Sequence, residues 1–258
     1  MTQPLANIHP EARIAPGVVI DPFVTVEADV EIGEGTHLHP GAVVLNGARI
    51  GRNCTIHSGA VVAGVPQDLK FKGEHTLAII GDNTTLRECV TVNRGTASKG
   101  ETVVGSNCLI MAYSHVAHDC RIGSNVIISN ASQVAGEVEI DDYAVIGGGS
   151  LIHQFSRIGA HVMMQGGSLV NKDVPPFAVC ARYPISYAGV NIIGLRRRGF
   201  SNEVIANIQE IYRIIFQSDF NVTEALEQVE QTIAPSAERD LILNFIRQST
   251  RGVLKGYN

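Results

Sequence analysis

Beginning at Ile8, an aliphatic side chain recurs at every sixth residue: Ile14, Ile20, Val26, Ile32, Leu38, Val44, Ile50, Ile56 and Val62. After a gap the same frame resumes at Ile80, Leu86 and Val92, and it runs again from Val104 to Met164 and Val170. Only Asp68, Glu74 and Ser98 break it. A helix cannot keep such a frame on one face, because six residues advance it by about 600°. A short strand that points alternate residues inward and then turns a corner can. Two residues before the frame position the side chain is small to medium, as at Ala12, Ala48, Ser114, Ser132 and Val138. Glycine often follows it directly, at Gly33, Gly51, Gly81, Gly105, Gly123 and Gly159, where it is expected to relax the turn. The pattern predicts a mostly β chain wound as a parallel β-helix of stacked six-residue rungs. Cys54, Cys108 and Cys120 take the small inward position and read as structural thiols, whereas Cys89 and Cys180 fall outside it.

Hexapeptide-repeat proteins, which this frame resembles, are triangular prisms with three rungs to a coil, wound left-handed. The resemblance implies that hand; the usual crossover rule favours the opposite one. Two segments interrupt the frame: Pro66 to Leu77 by twelve residues, and Asn93 to Glu101 by one hexapeptide. Together they equal one coil, so both loops are expected to leave the prism at a single corner, after Val62 and Val92. His118 falls at that corner one coil on, beside Asp119, and is read as solvent-facing. Gly136 follows 18 residues later and Gln154 another 18, with His153 adjacent, and stacked coils lie about 5 Å apart. Two loops, a histidine column and an exposed glycine backbone on one edge mark a candidate site. His9, His37, His39 and His57 read as incidental corner histidines.

The repeat is expected to end near Asp173-Val-Pro-Pro176, and from about Asn191 the apolar spacing becomes helical. Ser201 reads as an N-cap before Ile205, Ile208, Tyr212 and Ile215. Asn221 with Glu224 reads as a capping box, and a third helix after Pro235 carries Leu241, Leu243, Phe245 and Ile246. The expected organisation is a β-helix over 1–185 and a helical domain over 186–258 that either covers one end of the prism or packs against a neighbour.

Composition narrows the function. The 258 residues carry a net charge of −5, which argues against a nucleic-acid binder, although Arg196-Arg197-Arg198 suits an acidic partner. The start, Met1-Thr-Gln-Pro-Leu5, lacks signal-peptide features, and no apolar run reaches the roughly 18 residues of a membrane span. Five cysteines without a Cys-x-x-Cys pair fit a reducing compartment, so a cytoplasmic protein is expected.

Several motifs then carry a family resemblance: Pro66-Gln-Asp-Leu-Lys70, His115-Val-Ala-His-Asp-Cys120, Ile152-His-Gln-Phe155, Gly159-Ala-His-Val162, Val174-Pro-Pro176, Gly189-Val-Asn191, Gly194 to Phe200 and Ser249-Thr-Arg-Gly252. With them the chain resembles, over nearly its whole length, the UDP-N-acetylglucosamine O-acyltransferases that use acyl carrier protein and begin lipid A biosynthesis. The resemblance implies His118 as general base, Asp119 as its orienting carboxylate and the Gly136 N–H as oxyanion donor. It implies substrate contacts at Gln67, Asp68, Lys70, His115, His153, Gln154, Asn191, Arg197 and Arg198, and an acyl-length position at Gly166. It also implies a homotrimer, a UDP-sugar substrate, acyl carrier protein as donor, and no cofactor or metal. Asn93, Glu137 and Ile193 depart from the family's usual residues. Three other readings stay open: the related amino-sugar N-acyltransferase, which normally carries an extra N-terminal domain; a hexapeptide carbonic anhydrase binding zinc through His115, His118 and His153; and a non-catalytic scaffold.

Overall fold

The computed structural model describes residues 5–181 and 183–256; residues 1–4 of the N-terminal stretch lie outside it. Three sheets of nine, eight and eleven strands, parallel except for one pair in the third, form the faces of a left-handed β-helix. Most strands are two residues long, one residue facing out and the next facing in, as in His115–Val116 and Ile127–Ile128. The first face carries Val62, Val92, Val116 and Val134, the second Ile80, Val104 and Ile122, and the third Leu86, Ile110 and Ile128. From Ile20 onward the aliphatic frame residues are buried in one continuous core, while Ile8 and Ile14 at the open end are half-buried. Cys54, Cys108 and Cys120 are buried in the small inward position as expected. Polar residues there bond locally, Ser132 donating to the Ser129 carbonyl at 2.8 Å and Thr36 to that of Gly51 at 2.9 Å, whereas the buried Ser156 hydroxyl has no partner among the described residues.

The glycines after the frame position serve a different purpose from the one their sequence context suggests. A Cβ on Gly33 would lie 2.6 Å from the Gly51 backbone, and one on Gly105 would lie 2.6 Å from that of Gly123. Consecutive corners stack backbone on backbone, and only glycine permits it. The left-handed turn residues come two positions later, at Asn53, Asn83, Asn107 and Asn125, a residue type that tolerates this conformation.

The coil also outlasts the prolines. Val174 bridges Ile158, and Cys180 pairs with Met164, so the winding continues at a spacing of 16 instead of 18. Cys180 is therefore a buried core thiol, a correction to the sequence reading. Ala178–Ala181 then pairs antiparallel with Ser186–Val190, and Lys255–Gly256 adds to its outer edge. This third face crosses the 185/186 boundary, so the prism and the helical segment share one sheet. The helices are α1 (Ile192–Arg197), α2 (Asn202–Gln217), α3 (Val222–Thr232) and α4 (Ala237–Arg247). Ser201 caps α2 and the Asn221–Glu224 box opens α3, as the sequence predicts. In α4, Leu243, Phe245 and Ile246 are buried but Leu241 is exposed. Tyr212 of α2 donates its hydroxyl to the Pro176 carbonyl, and buried Asp173 accepts from Ser249 at 2.7 Å, so the helical segment closes the end of the prism.

Candidate active site

Register fixes where the two loops emerge. Val62 pairs with Val92, Val92 with Val116, and Val116 with Val134, separations of 30, 24 and 18 residues. The excess of twelve and then six lies wholly between the first and second faces. Both loops therefore leave at the corner that Ala117 to Cys120 turns in the next coil. Asn93 sits where the register slips against Gly64, and its side-chain amide donates to the Val65 carbonyl, pinning the root of the first loop.

His118 is not solvent-facing. Its residue exposure is 8 %, because the first loop brings Asp68 to 3.8 Å from Nε2 and the coil above lays the Gly136 backbone against the ring. A Cβ on Gly136 would lie 2.6 Å from Cε1 and Nε2 of His118. The other ring nitrogen, Nδ1, lies 2.8 Å from Oδ2 of Asp119. That carboxylate is fully buried and accepts from the second loop: from the Thr96 hydroxyl at 2.7 Å, the Thr96 N–H at 2.9 Å and the Lys99 N–H at 3.2 Å. Burial pushes the Asp119 carboxyl up, but these hydrogen bonds and that to His118 outweigh it and hold the group below its ordinary value. An ionised Asp119 keeps the imidazole proton on Nδ1 and leaves Nε2 with a free lone pair. Among the described residues nothing hydrogen-bonds Nε2, nor does any acceptor take the Gly136 N–H. The pair is built for proton abstraction beside an unspent backbone donor.

Nε2 faces a cavity of about 760 Å³ on the first face, lined by Gln67, His115, His118, Gly136, His153 and Gln154 among others. Above His115 its floor is the outward column Gln133, Leu151 and Leu169, where the exposed leucines make a greasy strip. His115 bonds Thr91 through Nδ1 at 2.7 Å. Burial, the main cause, lowers its pKa, and the neighbouring His118 pushes the same way against the Thr91 hydrogen bond. His153 lies between the Gln154 carbonyl at 2.9 Å and the Arg251 guanidinium at 3.2 Å. Lys70 is exposed on the first loop, and its N–H donates to Oδ1 of Asp68 at 2.9 Å.

Thus the structure gathers His118, Asp119, Gly136, Gln67, Asp68, Lys70, His115, His153 and Gln154 at one corner. Gly166 lies elsewhere, at the turn between the third and first faces, where a Cβ would meet the Gly148 carbonyl at 3.0 Å. Asn191, Arg197 and Arg198 border a second cavity, of about 660 Å³, over Ile127, Val145 and Met163 of the third face. There Asn191 is occupied structurally, capping α1 at the Gly194 N–H and donating to the His161 carbonyl, and Arg198 donates to the Tyr143 carbonyl at 2.9 Å. Among the described residues, His115, His118 and His153 do not bring one donor atom each within 4.8 Å of the others. Thr96, Lys99, Thr91 and Arg251 were missed from sequence. For Thr96 and Lys99 the available signal is that the second loop shares the His118 corner, and for Arg251 its place in the Ser249–Gly252 motif.

A hexapeptide-transferase model matches residues 11–46, 29–64 and 101–136, and a model described as domain 2 of UDP-N-acetylglucosamine O-acyltransferase matches 173–254. The acyl-(acyl-carrier-protein)–UDP-N-acetylglucosamine O-acyltransferase of Trichlorobacter lovleyi is 51% identical over 255 residues, covering 97% of this chain and 98% of that one. The enzyme of the same name from Aquifex aeolicus is 60% identical over 195 residues, covering 75% of each. The crystal structure of the Bacteroides fragilis UDP-N-acetylglucosamine acyltransferase superposes with a TM-score of 0.97 at 51% identity, over 99% of this chain and 100% of that one. With identity spanning both the prism and the helical segment, the chain belongs to the acyl-(acyl-carrier-protein)–UDP-N-acetylglucosamine O-acyltransferase family.

Proposed function

We propose that this enzyme transfers a 3-hydroxyacyl chain from acyl carrier protein to the 3-hydroxyl of UDP-N-acetylglucosamine, the first step of lipid A biosynthesis. The observation that carries the mechanism is the buried His118–Asp119 pair at 2.8 Å, with Nε2 left free beside Gly136. His118 Nε2 takes the proton of the sugar hydroxyl as its oxygen attacks the thioester carbonyl. The Gly136 N–H donates to the resulting oxyanion, and Asp119 stabilises the imidazolium. Collapse breaks the carbon–sulfur bond, and the imidazolium returns its proton to the departing thiolate. Gln67, Asp68, Lys70, His115, His153 and Gln154 surround the sugar and the thioester end. Leu151 and Leu169 offer the acyl chain an apolar track.

A homotrimer would complete the site. The outward positions of the first and third faces include exposed Leu151, Leu169, Val19 and Met163, whereas the second face carries Arg13, Glu31, Arg121 and Glu139. Packing the first face of one protomer on the third face of another would bring Gly166, Asn191, Arg197 and Arg198 to a neighbour's His118. The Arg196–Arg198 run suits the acidic carrier protein. Five free thiols suit a cytoplasmic enzyme, and among the described residues no helix is long and apolar enough to cross a membrane.

The test is purified enzyme with a panel of 3-hydroxyacyl carrier proteins and two acceptors, UDP-N-acetylglucosamine and its 3-amino analogue, read by mass spectrometry. A singly O-acylated UDP-sugar is expected. Product from the amino sugar alone, or none from either, overturns the proposal.

A further inference from the structure

The histidines dismissed as incidental are not scattered. At the corner between the third and first faces, Asp21, His39 and His57 stack at intervals of 18 residues, with His37 on the strand just before His39. Val19–Ile20 pairs with His37–Leu38, and His37–Leu38 pairs with Thr55–Ile56, so three successive coils bring them into one column. The His37 Nε2 lies 2.8 Å from Oδ2 of Asp21, and the His39 Nδ1 lies 3.8 Å from the same oxygen. The two rings stack with centroids 4.0 Å apart, and His39 stacks on His57 at 4.6 Å. His57 is backed in turn by Glu88 at 3.3 Å. One donor atom from each of Asp21, His37 and His39 lies within 4.8 Å of the others.

The geometry points to a divalent transition-metal site, of the imidazole–carboxylate class that suits Zn²⁺, formed by Asp21, His37 and His39. A tetrahedral ion with bonds of about 2.0–2.1 Å needs donors roughly 3.3 Å apart, between the two distances observed here. In the isolated protomer the three side chains are about one-third exposed, at 27%, 35% and 30%, which leaves an ion there room for water as its fourth ligand. His57 would support the site through its stacking on His39. Asp21 and the two ligating histidines belong to adjacent coils, and the ion would staple them. That is near the open end of the prism, where Ile8 and Ile14 are only half-buried. The role is structural and separate from the His118 corner.

The experiment uses the full chain stripped with chelator and titrated with zinc chloride, by calorimetry and by thermal denaturation. Wild type and His118→Ala should each take up one zinc ion per chain with micromolar affinity and melt at a higher temperature with zinc. In His37→Ala/His39→Ala and in Asp21→Asn, binding should weaken by about tenfold or more, the zinc-induced rise should vanish, and acyl transfer should stay at the wild-type rate. Asp21→Asn keeps a hydrogen-bonding partner for His37, so it remains informative should the double variant fail to fold. Absence of zinc uptake by wild type overturns the inference, as does full uptake by either variant or loss of uptake in His118→Ala.

Discussion

Adding one methyl group at Gly136 isolates the contact on which the catalytic geometry rests. Gly136 does not occupy the left-handed backbone region, so alanine is compatible with its conformation. The new Cβ, however, would lie 2.6 Å from Cε1 and Nε2 of His118 and 3.2 Å from Cδ2. Carbon atoms settle near 3.5–4.0 Å, so the imidazole has to retreat by about 1 Å. If the ring moves toward Asp119, the 2.8 Å contact at Nδ1 is compressed; if it moves away from Asp119, the contact stretches toward ~3.8 Å and is lost. Either displacement takes Nε2 out of line with the acceptor hydroxyl. A misplacement of this size costs on the order of 100-fold in rate, while a strained contact of this kind costs about 1–3 kcal/mol in stability. Gly136→Ala should therefore fold and melt a few degrees lower, yet lose about two orders of magnitude in kcat/KM, measured by mass spectrometry with acyl carrier protein and UDP-sugar. Activity within a few-fold of wild type would mean that the imidazole is not held against this backbone, and the reasoning would fail.

The remaining predictions concern the supports of that corner and the core beneath it. Thr96→Val keeps the shape but removes the 2.7 Å hydroxyl bond to Asp119. It should cost about 1–3 kcal/mol and lower kcat, since the carboxylate loses one of the donors that hold it against His118; unchanged stability and kcat would remove Thr96 from the mechanism. Ile128, fully buried in the frame, should not tolerate Ile128→Asp, and soluble, cooperatively folding protein would contradict the core assignment. His161 stacks with Tyr143 at 4.9 Å, and burial, aided by the Arg198 charge, pulls its pKa down to about 4. Because the folded state prefers the neutral ring, its stabilisation is complete above about pH 6.5 and is lost as pH falls toward 4. Denaturant melts should show roughly 2 kcal/mol less stability at pH 5 than at pH 7 from this group, and His161→Phe should abolish that difference; an unchanged difference refutes it.

How much of this was legible beforehand follows from what a repeat encodes. The frame residues, both loops and the corner they share can be counted off the chain, because twelve and six extra residues must restore an 18-residue coil. The helix caps at Ser201 and Asn221 were local and therefore readable. Burial of His118 was not, since it depends on a loop folding back to place Asp68 and on the absence of a side chain at Gly136. The donors to Asp119 come from Thr96 and Lys99, whose positions in an irregular loop no period specifies. Cys180 escaped because the coil shortens by two residues between Val170 and Val174, just ahead of the prolines. The glycine column was seen but misattributed: its cause is the close stacking of one coil on the next, not turn conformation.

The most direct test of the account is the kinetics of His118→Ala. Removing the ring empties a small, largely enclosed space and leaves Asp119 with its loop donors, so the variant should fold with modest loss of stability and still bind the UDP-sugar. As a general base His118 should account for about 10²- to 10⁴-fold of turnover. The variant's kcat should fall by that factor at unchanged sugar affinity, with the ascending limb of the wild-type pH–rate profile abolished. Turnover within tenfold of wild type, with that limb intact, would place the base elsewhere and contradict the central claim.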